Sequence, residues 1–159
     1  MKKYSYVAMG GTFDLLHIGH LDLLKKSFEI GSFVIIGVTS DNFATSILNK
    51  RLQNSFDTRY KNLQSLIKKE IKCDSFEITR LDEEFGPLMF SEKIDCLVVS
   101  SETNTKSARI NKLRSDKGLL PLDIIIVKLR LAEDGFPISS TRIRAKEIDS
   151  SGRILNLKK

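Results

Sequence analysis

Three stretches of this chain are continuously apolar and rich in β-branched residues: FVIIGV at 33–38, IDCLVVS at 94–100 and LDIIIVKL at 122–129. Such runs suit strands buried on both faces, as in a parallel sheet covered by helices. Shorter runs, YSYVAMG at 4–10 and SFEITRL at 75–81, supply two further strands. Between them the period changes. HLDLLKKSFEIG at 20–31 brings Leu21, Leu23, Leu24 and Phe28 near one face at helical spacing, with Gly31 to stop the helix. Residues 56–70 return to that spacing through Tyr60, Leu63, Leu66 and Ile67. TKSARINKLRSDKG at 105–118 is a polar-faced helix closed by Gly118, and SSTRIRAKEID at 139–149 starts a last helix. Residues 42–55, NFATSILNKRLQNS, read as a short helix running into a loop. Strand and helix therefore alternate, which predicts a layered α/β fold with a mostly parallel five-stranded sheet flanked by helices.

The length, 159 residues, predicts one compact domain over 1–159. Apolar residues make up 41% and charged residues 29%, as in ordinary soluble globules. No apolar run reaches the roughly 18 residues of a spanning helix. The opening MKKYSYVAMGG has too short an apolar stretch for a signal peptide, so a cytoplasmic protein is the default expectation. Cys73 and Cys96, the only cysteines, lack CxxC spacing and read as core thiols. The formal charge of +6 favours anionic partners. It does not by itself suggest nucleic acid, because there is no zinc-finger spacing and no long basic tail. The basic helix at 105–117 also lacks the interleaved aromatics that stack bases. Nor does any basic amphipathic helix adjoin a long apolar face, so no membrane partner is expected.

The chemistry concentrates in GGTFDLLHIGHLDLL at 10–24, which holds both histidines of the chain, His17 and His20. In open α/β sheets ligands bind beyond the carboxyl ends of the strands. Gly10 and Gly11 end the first strand there. Thr12 offers a hydroxyl, and the next helix begins near Gly19 with free N–H groups and a dipole that favour an anion. The stretch is neither a Walker loop nor GxGxxG. Two histidines three apart, with no third histidine and no suitable cysteine, make a poor zinc site, one that Asp14 or Asp22 would have to complete. The plain alternative is an ordinary strand-to-helix turn capped by a histidine.

GGTFDLLHIGH resembles the signature of the nucleotidyltransferase superfamily marked by an HxGH element, and ISSTRIR at 138–144 resembles its second signature. Within the superfamily the chain is similar to phosphopantetheine adenylyltransferases of the archaeal and eukaryotic type along nearly its whole length. GVTSD at 37–41, Arg59, VVSSETN at 98–104, the NxxR pair Asn111 and Arg114, and the block AEDGFPISSTRIRAKEID carry that similarity. The last block favours this branch over cytidylyltransferases. Departures are Ser101 and Ser55 where relatives have proline, and a first basic pair after TSD as late as Lys50 and Arg51.

The resemblance implies a Rossmann-like nucleotidyltransferase domain that moves an adenylyl group from ATP to 4'-phosphopantetheine. The products are dephospho-coenzyme A and pyrophosphate, and the reaction is reversible. The nucleophile is a phosphate oxygen already ionised near neutral pH, so alignment and charge stabilisation suffice. The catalytic candidates are His20, donating to the α-phosphate, His17, holding the β,γ side or steadying the loop, and Arg144. Gly10, Gly11, Thr12, Phe13, Asp14, Asp41, Lys50, Glu102, Arg114, Ser139, Ser140, Thr141 and Arg142 are candidates for binding. For Phe13 core packing stands beside substrate contact, and for Asp14 and Asp41 loop ordering stands beside a nucleotide role. Ser139, Ser140 and Thr141 either cap the last helix or grip phosphate. Mg²⁺ is expected on the ATP phosphates, with no protein metal ligands. The resemblance implies a monomer, while the residues leave oligomeric state open. The alternative is a cytidylyl- or adenylyltransferase of the same superfamily with another phosphorylated acceptor.

Overall fold

Five apolar runs form one parallel sheet in the computed structural model, which describes residues 2–101 and 103–155. The strands are β1 (Tyr4–Gly11), β2 (Gly31–Thr39), β3 (Phe76–Leu81), β4 (Cys96–Ser100) and β5 (Asp123–Val127). They lie in the order β3-β2-β1-β4-β5, and every pairing is parallel. The helices are α1 (Ile18–Ile30), α2 (Phe56–Leu66), α3 (Thr105–Asp116) and a short α4 (Ser140–Arg144).

Alternation along β1 divides the core between the two faces of the sheet. Val7 and Met9 join Val34, Ile36, Val38, Leu24, Phe28, Leu63 and Ile67, which places α1 and α2 on one face. Ala8 and Leu97 join Ile94, Ile110 and Leu122 on the other, under α3. Cys96 is fully buried, as a core thiol should be, and burial with the nearby Asp123 and Asp95 pushes its thiol up to about 12. No helix among the described residues is long and apolar enough to cross a membrane.

One detail of register creates the crevice. β1 pairs with β2 as far as Gly11–Val38, but with β4 only at Val7–Cys96 and Ala8–Leu97. Beyond Ala8 the two strands part. This is also where the strand order reverses, the position at which α/β sheets bind ligands.

Two stretches take forms that the sequence pattern leaves open. The last helix, which SSTRIRAKEID starts, stops at Arg144. Lys146 adopts φ +62, and Ile148 turns inward to full burial with Ala132 and Ile138. The demand of that small core overrides the helical propensity of the sequence. The segment 42–55 opens with a π-helical turn, Phe43–Ile47, before its loop. A second π-helical turn, Ile67–Ile71, prolongs α2 until Lys72 ends it at φ +59.

Candidate functional site

The loop from Gly11 to His17 leaves β1 at the crevice and delivers both histidines to the start of α1. His17 is the N-cap: its backbone is extended and its Nδ1 accepts the N–H of Gly19 at 3.1 Å. Nδ1 of His20 in turn accepts the N–H of His17 at 3.3 Å. A ring nitrogen that accepts carries no proton, so each neutral imidazole has its proton on Nε2. The rings stack with centroids 3.8 Å apart. Burial pushes His17 down to about 4. Burial, and then the neighbouring His17, push His20 down to about 3. Both are therefore neutral Nε2–H donors at pH 7. The glycine between them is a packing requirement, since a Cβ on Gly19 would lie 2.9 Å from Cε1 of His17.

Of the two roles open to Phe13, core packing is the one its side chain takes. Its side chain is 1% exposed and joins the β1–α1 core. Its backbone is left-handed, φ +53, and its ring supports that of His20 at 5.0 Å. Thr12 and Thr39 hydroxyls meet at 3.2 Å across the ends of β1 and β2.

Asp14 is buried and fully engaged. It accepts the N–H groups of Gln53 and Asn54, each at 2.9 Å, and a hydrogen bond from Nη2 of Arg144. Burial opposes its ionisation, but these donors outweigh it and hold the carboxyl below its ordinary value. Of the two roles open to it, ordering the loop is the one the geometry provides. Arg144 keeps Nε buried without an acceptor, the only such side-chain atom among the described residues.

The second signature docks on the same loop. Ser140 Oγ donates to the carbonyl of Leu15 at 2.9 Å and accepts its N–H at 3.3 Å. Ser139 caps α4 by accepting the N–H of Arg142 at 3.2 Å, and Thr141 is exposed. The N–H of Ile18 reaches the carbonyl of Ser150 at 2.9 Å, so the C-terminal segment closes over the head of α1. Arg142 faces elsewhere: it pairs with Asp134 and Glu147 and donates to the carbonyls of Phe136 and Pro137. Its guanidinium is spent on the turn before α4, which corrects its assignment to phosphate.

Arg114 is the clearest correction. It is 1% exposed and donates to the carbonyls of Leu88, Ser91 and Leu120. These precede β4 and β5, so the side chain lies at the amino end of the sheet, away from the crevice. Its motif partner Asn111 exchanges two hydrogen bonds with the backbone of Leu122, at 3.0 and 2.7 Å. The NxxR pair thus ties α3 to the loops entering the strands.

Gly10 and Gly11 lie at the crevice, and Asp41 and Lys50 are exposed beyond the end of β2. Glu102 lies outside the described residues. A cavity of about 50 Å³ beside Gly10, on the α3 face, is lined by Gly37, Leu81, Phe85 and Leu88.

In the sequence Arg59 stands only as a position matching the family, yet in the structure it is the hub of the site. It is fully buried and donates to the carbonyls of Thr12, Thr39 and Asn54 and to the carboxylate of Asp41. The signal was available: Arg59 falls on the stripe of Leu63, Leu66 and Ile67, where a charge must be buried and therefore partnered.

The chain matches the Cytidylyltransferase-like family over residues 8–146. It is 42% identical to the phosphopantetheine adenylyltransferase of Methanothermobacter thermautotrophicus, over 97% of this chain and 92% of that protein. The enzyme of the same description from Pyrococcus furiosus is 39% identical, over 95% and 94%. Among solved structures, a protein of unknown function from Archaeoglobus fulgidus superposes with a TM-score of 0.68 at 31% identity, covering 80% of this chain and 89% of that one.

Proposed function

This chain belongs to the phosphopantetheine adenylyltransferases of the cytidylyltransferase-like family, and on that premise we propose how its own residues perform adenylyl transfer in coenzyme A biosynthesis. A phosphate oxygen of 4'-phosphopantetheine attacks the α-phosphorus of ATP. A new P–O bond forms, the bond to the β-phosphate oxygen breaks, and pyrophosphate leaves.

The observation that carries this reading is the committed pair of histidines. With both Nδ1 atoms occupied by backbone N–H groups, His20 and His17 have only Nε2–H to offer, at the mouth of the crevice where β1 and β4 part. Neutral donors of fixed direction suit a reaction that needs no enzymic nucleophile and no strong base. They stabilise charge on the α-phosphate without reorganising. His20 donates to the α-phosphate and His17 to the β,γ side. Gly10, Gly11 and Thr12 admit the phosphates closely, and the unused Nε–H of Arg144 turns to a phosphate oxygen. Ser139 and Ser140 keep their structural bonds and hold Arg144 over the loop. The apolar cavity beside Gly10 receives the first part of the acceptor's uncharged arm.

Among the described residues no group of three or more His, Cys, Asp or Glu side chains is placed to hold a metal ion. Asp14 and Asp41 are already committed to Arg144 and Arg59. Mg²⁺ would be held mainly by the triphosphate oxygens, together with its own waters. When bound, that ion neutralises phosphate charge.

The test is pyrophosphate release from ATP and Mg²⁺ with 4'-phosphopantetheine, beside CTP and beside glycerol phosphate, ethanolamine phosphate and nicotinamide mononucleotide. Release with ATP and phosphopantetheine, with dephospho-coenzyme A identified by mass, is expected. Release only with another pair overturns the assigned acceptor.

A further inference from the structure

We propose that Arg59 is a positioning residue for adenylyl transfer, setting the Thr12–Phe13 peptide and through it the ring of His20; the proposal rests on the function given above. Its side chain rises from the first turn of α2 and is wholly buried. Nη1 donates to the carbonyls of Thr12 and Thr39, each at 2.8 Å, and Nε to that of Asn54 at 3.2 Å. Nη2 meets Oδ1 of Asp41 at 2.7 Å. One guanidinium therefore gathers the exit of β1, the exit of β2 and the 53–54 loop, the same loop that Asp14 holds from the other side.

The consequence for chemistry runs through Phe13. Its φ of +53 is uncommon for a large side chain and persists only where neighbours over-determine it. The Thr12 carbonyl, drawn toward Arg59, fixes the peptide plane that enters this kink; in a trans peptide the N–H of Phe13 then points away from the guanidinium. The kink seats the Phe13 ring in the core, 5.0 Å from the ring of His20. A shift at Thr12 is thus a shift of the surface on which His20 rests. Arg114 is the internal contrast: equally buried, also bonded to carbonyls, but at the opposite end of the sheet. If burial and carbonyl bonds were all that mattered, the two arginines would behave alike.

The experiment compares Arg59→Ala, Arg59→Lys and Arg114→Ala, with rates normalised to folded protein. Arg59→Ala is expected to lose about a hundredfold in kcat, the scale of a misplacement near 1 Å, with KM for ATP changed little. Arg59→Lys recovers part of the rate, and guanidinium below unfolding concentrations restores activity to Arg59→Ala where sodium chloride does not. The second readout needs no activity. The chain has only two histidines, so their imidazole Cε1–H signals are readily assigned. The His20 signal should move in both Arg59 variants and stay in place in Arg114→Ala. Arg59→Lys carries the test should the alanine variant not fold. A wild-type kcat with unmoved histidine signals overturns the proposal. If the wild-type protein does not turn over, the assigned reaction fails, and the histidine signals still decide whether Arg59 positions His20.

Discussion

His20 caps the residue that caps its own helix: its Nδ1 accepts the backbone N–H of His17 at 3.3 Å, while the two rings stack at 3.8 Å. The reciprocal bonds fix both tautomers, so the pair presents two Nε2–H donors from one rigid helix start. Removing either ring changes the geometry of the other, and their contributions to catalysis should not add.

His20→Ala should lower kcat by about 10²–10³, the range seen when one donor to developing charge is removed. The crevice, Ser140 and Arg144 remain, so ATP binding measured by calorimetry should persist. Near wild-type turnover at saturating substrate would remove His20 from the reaction.

Acid should destabilise the fold through the same pair. Both histidines have folded-state values below the unfolded value near 6.5, at about 4 and about 3. The unfolded chain therefore binds more protons than the folded one between those values, and stability falls as pH drops from about 6.5 toward 3. Melting temperature against pH should show this slope, and a His17→Gln, His20→Gln double variant should flatten it.

Arg114→Ala should cost stability and leave chemistry alone. It strands the carbonyls of Leu88, Ser91 and Leu120, a loss of about 3 kcal/mol. Urea denaturation should report that loss, while kcat per folded molecule stays at the wild-type value.

Gly31 is closely packed where β2 begins beside β1. Its φ of −109 suits any residue, but a Cβ there would lie 2.6 Å from Cγ2 and 2.9 Å from Cβ of Val7, and 3.1 Å from the carbonyl of Ser27. Neither strand can yield easily, so Gly31→Ala should destabilise by about 1–3 kcal/mol, visible as a lower urea midpoint with an unchanged m-value.

The strands were legible because burial on both faces leaves a continuous apolar run, and FVIIGV and IDCLVVS have no other good use. The crevice was legible from Gly10, Gly11 and the helix start that follows. The end of the last helix was not: nothing local in AKEID announces that Ile148 must turn inward to meet Ala132 and Ile138. Arg114 and Arg142 were misplaced for a shared reason. A basic residue in a phosphate-binding chain invites assignment to phosphate, yet one of them sits on the buried stripe of its helix and the other beside two carboxylates. Helical position carried more information about Arg59 and Arg114 than charge did. Phe13 was undecidable in the sequence because its left-handed backbone, which sends the ring into the core, depends on contacts from distant segments.

The central claim, that this crevice moves an adenylyl group between pyrophosphate and phosphopantetheine, is tested most directly in reverse. Dephospho-coenzyme A, pyrophosphate and Mg²⁺ are mixed with the protein, and new ATP is read by luminescence. ATP should accumulate one for one with 4'-phosphopantetheine, and His20→Ala should slow it by the same factor as the forward reaction. No ATP from a folded protein that binds dephospho-coenzyme A, or a His20→Ala rate equal to wild type, would contradict the account.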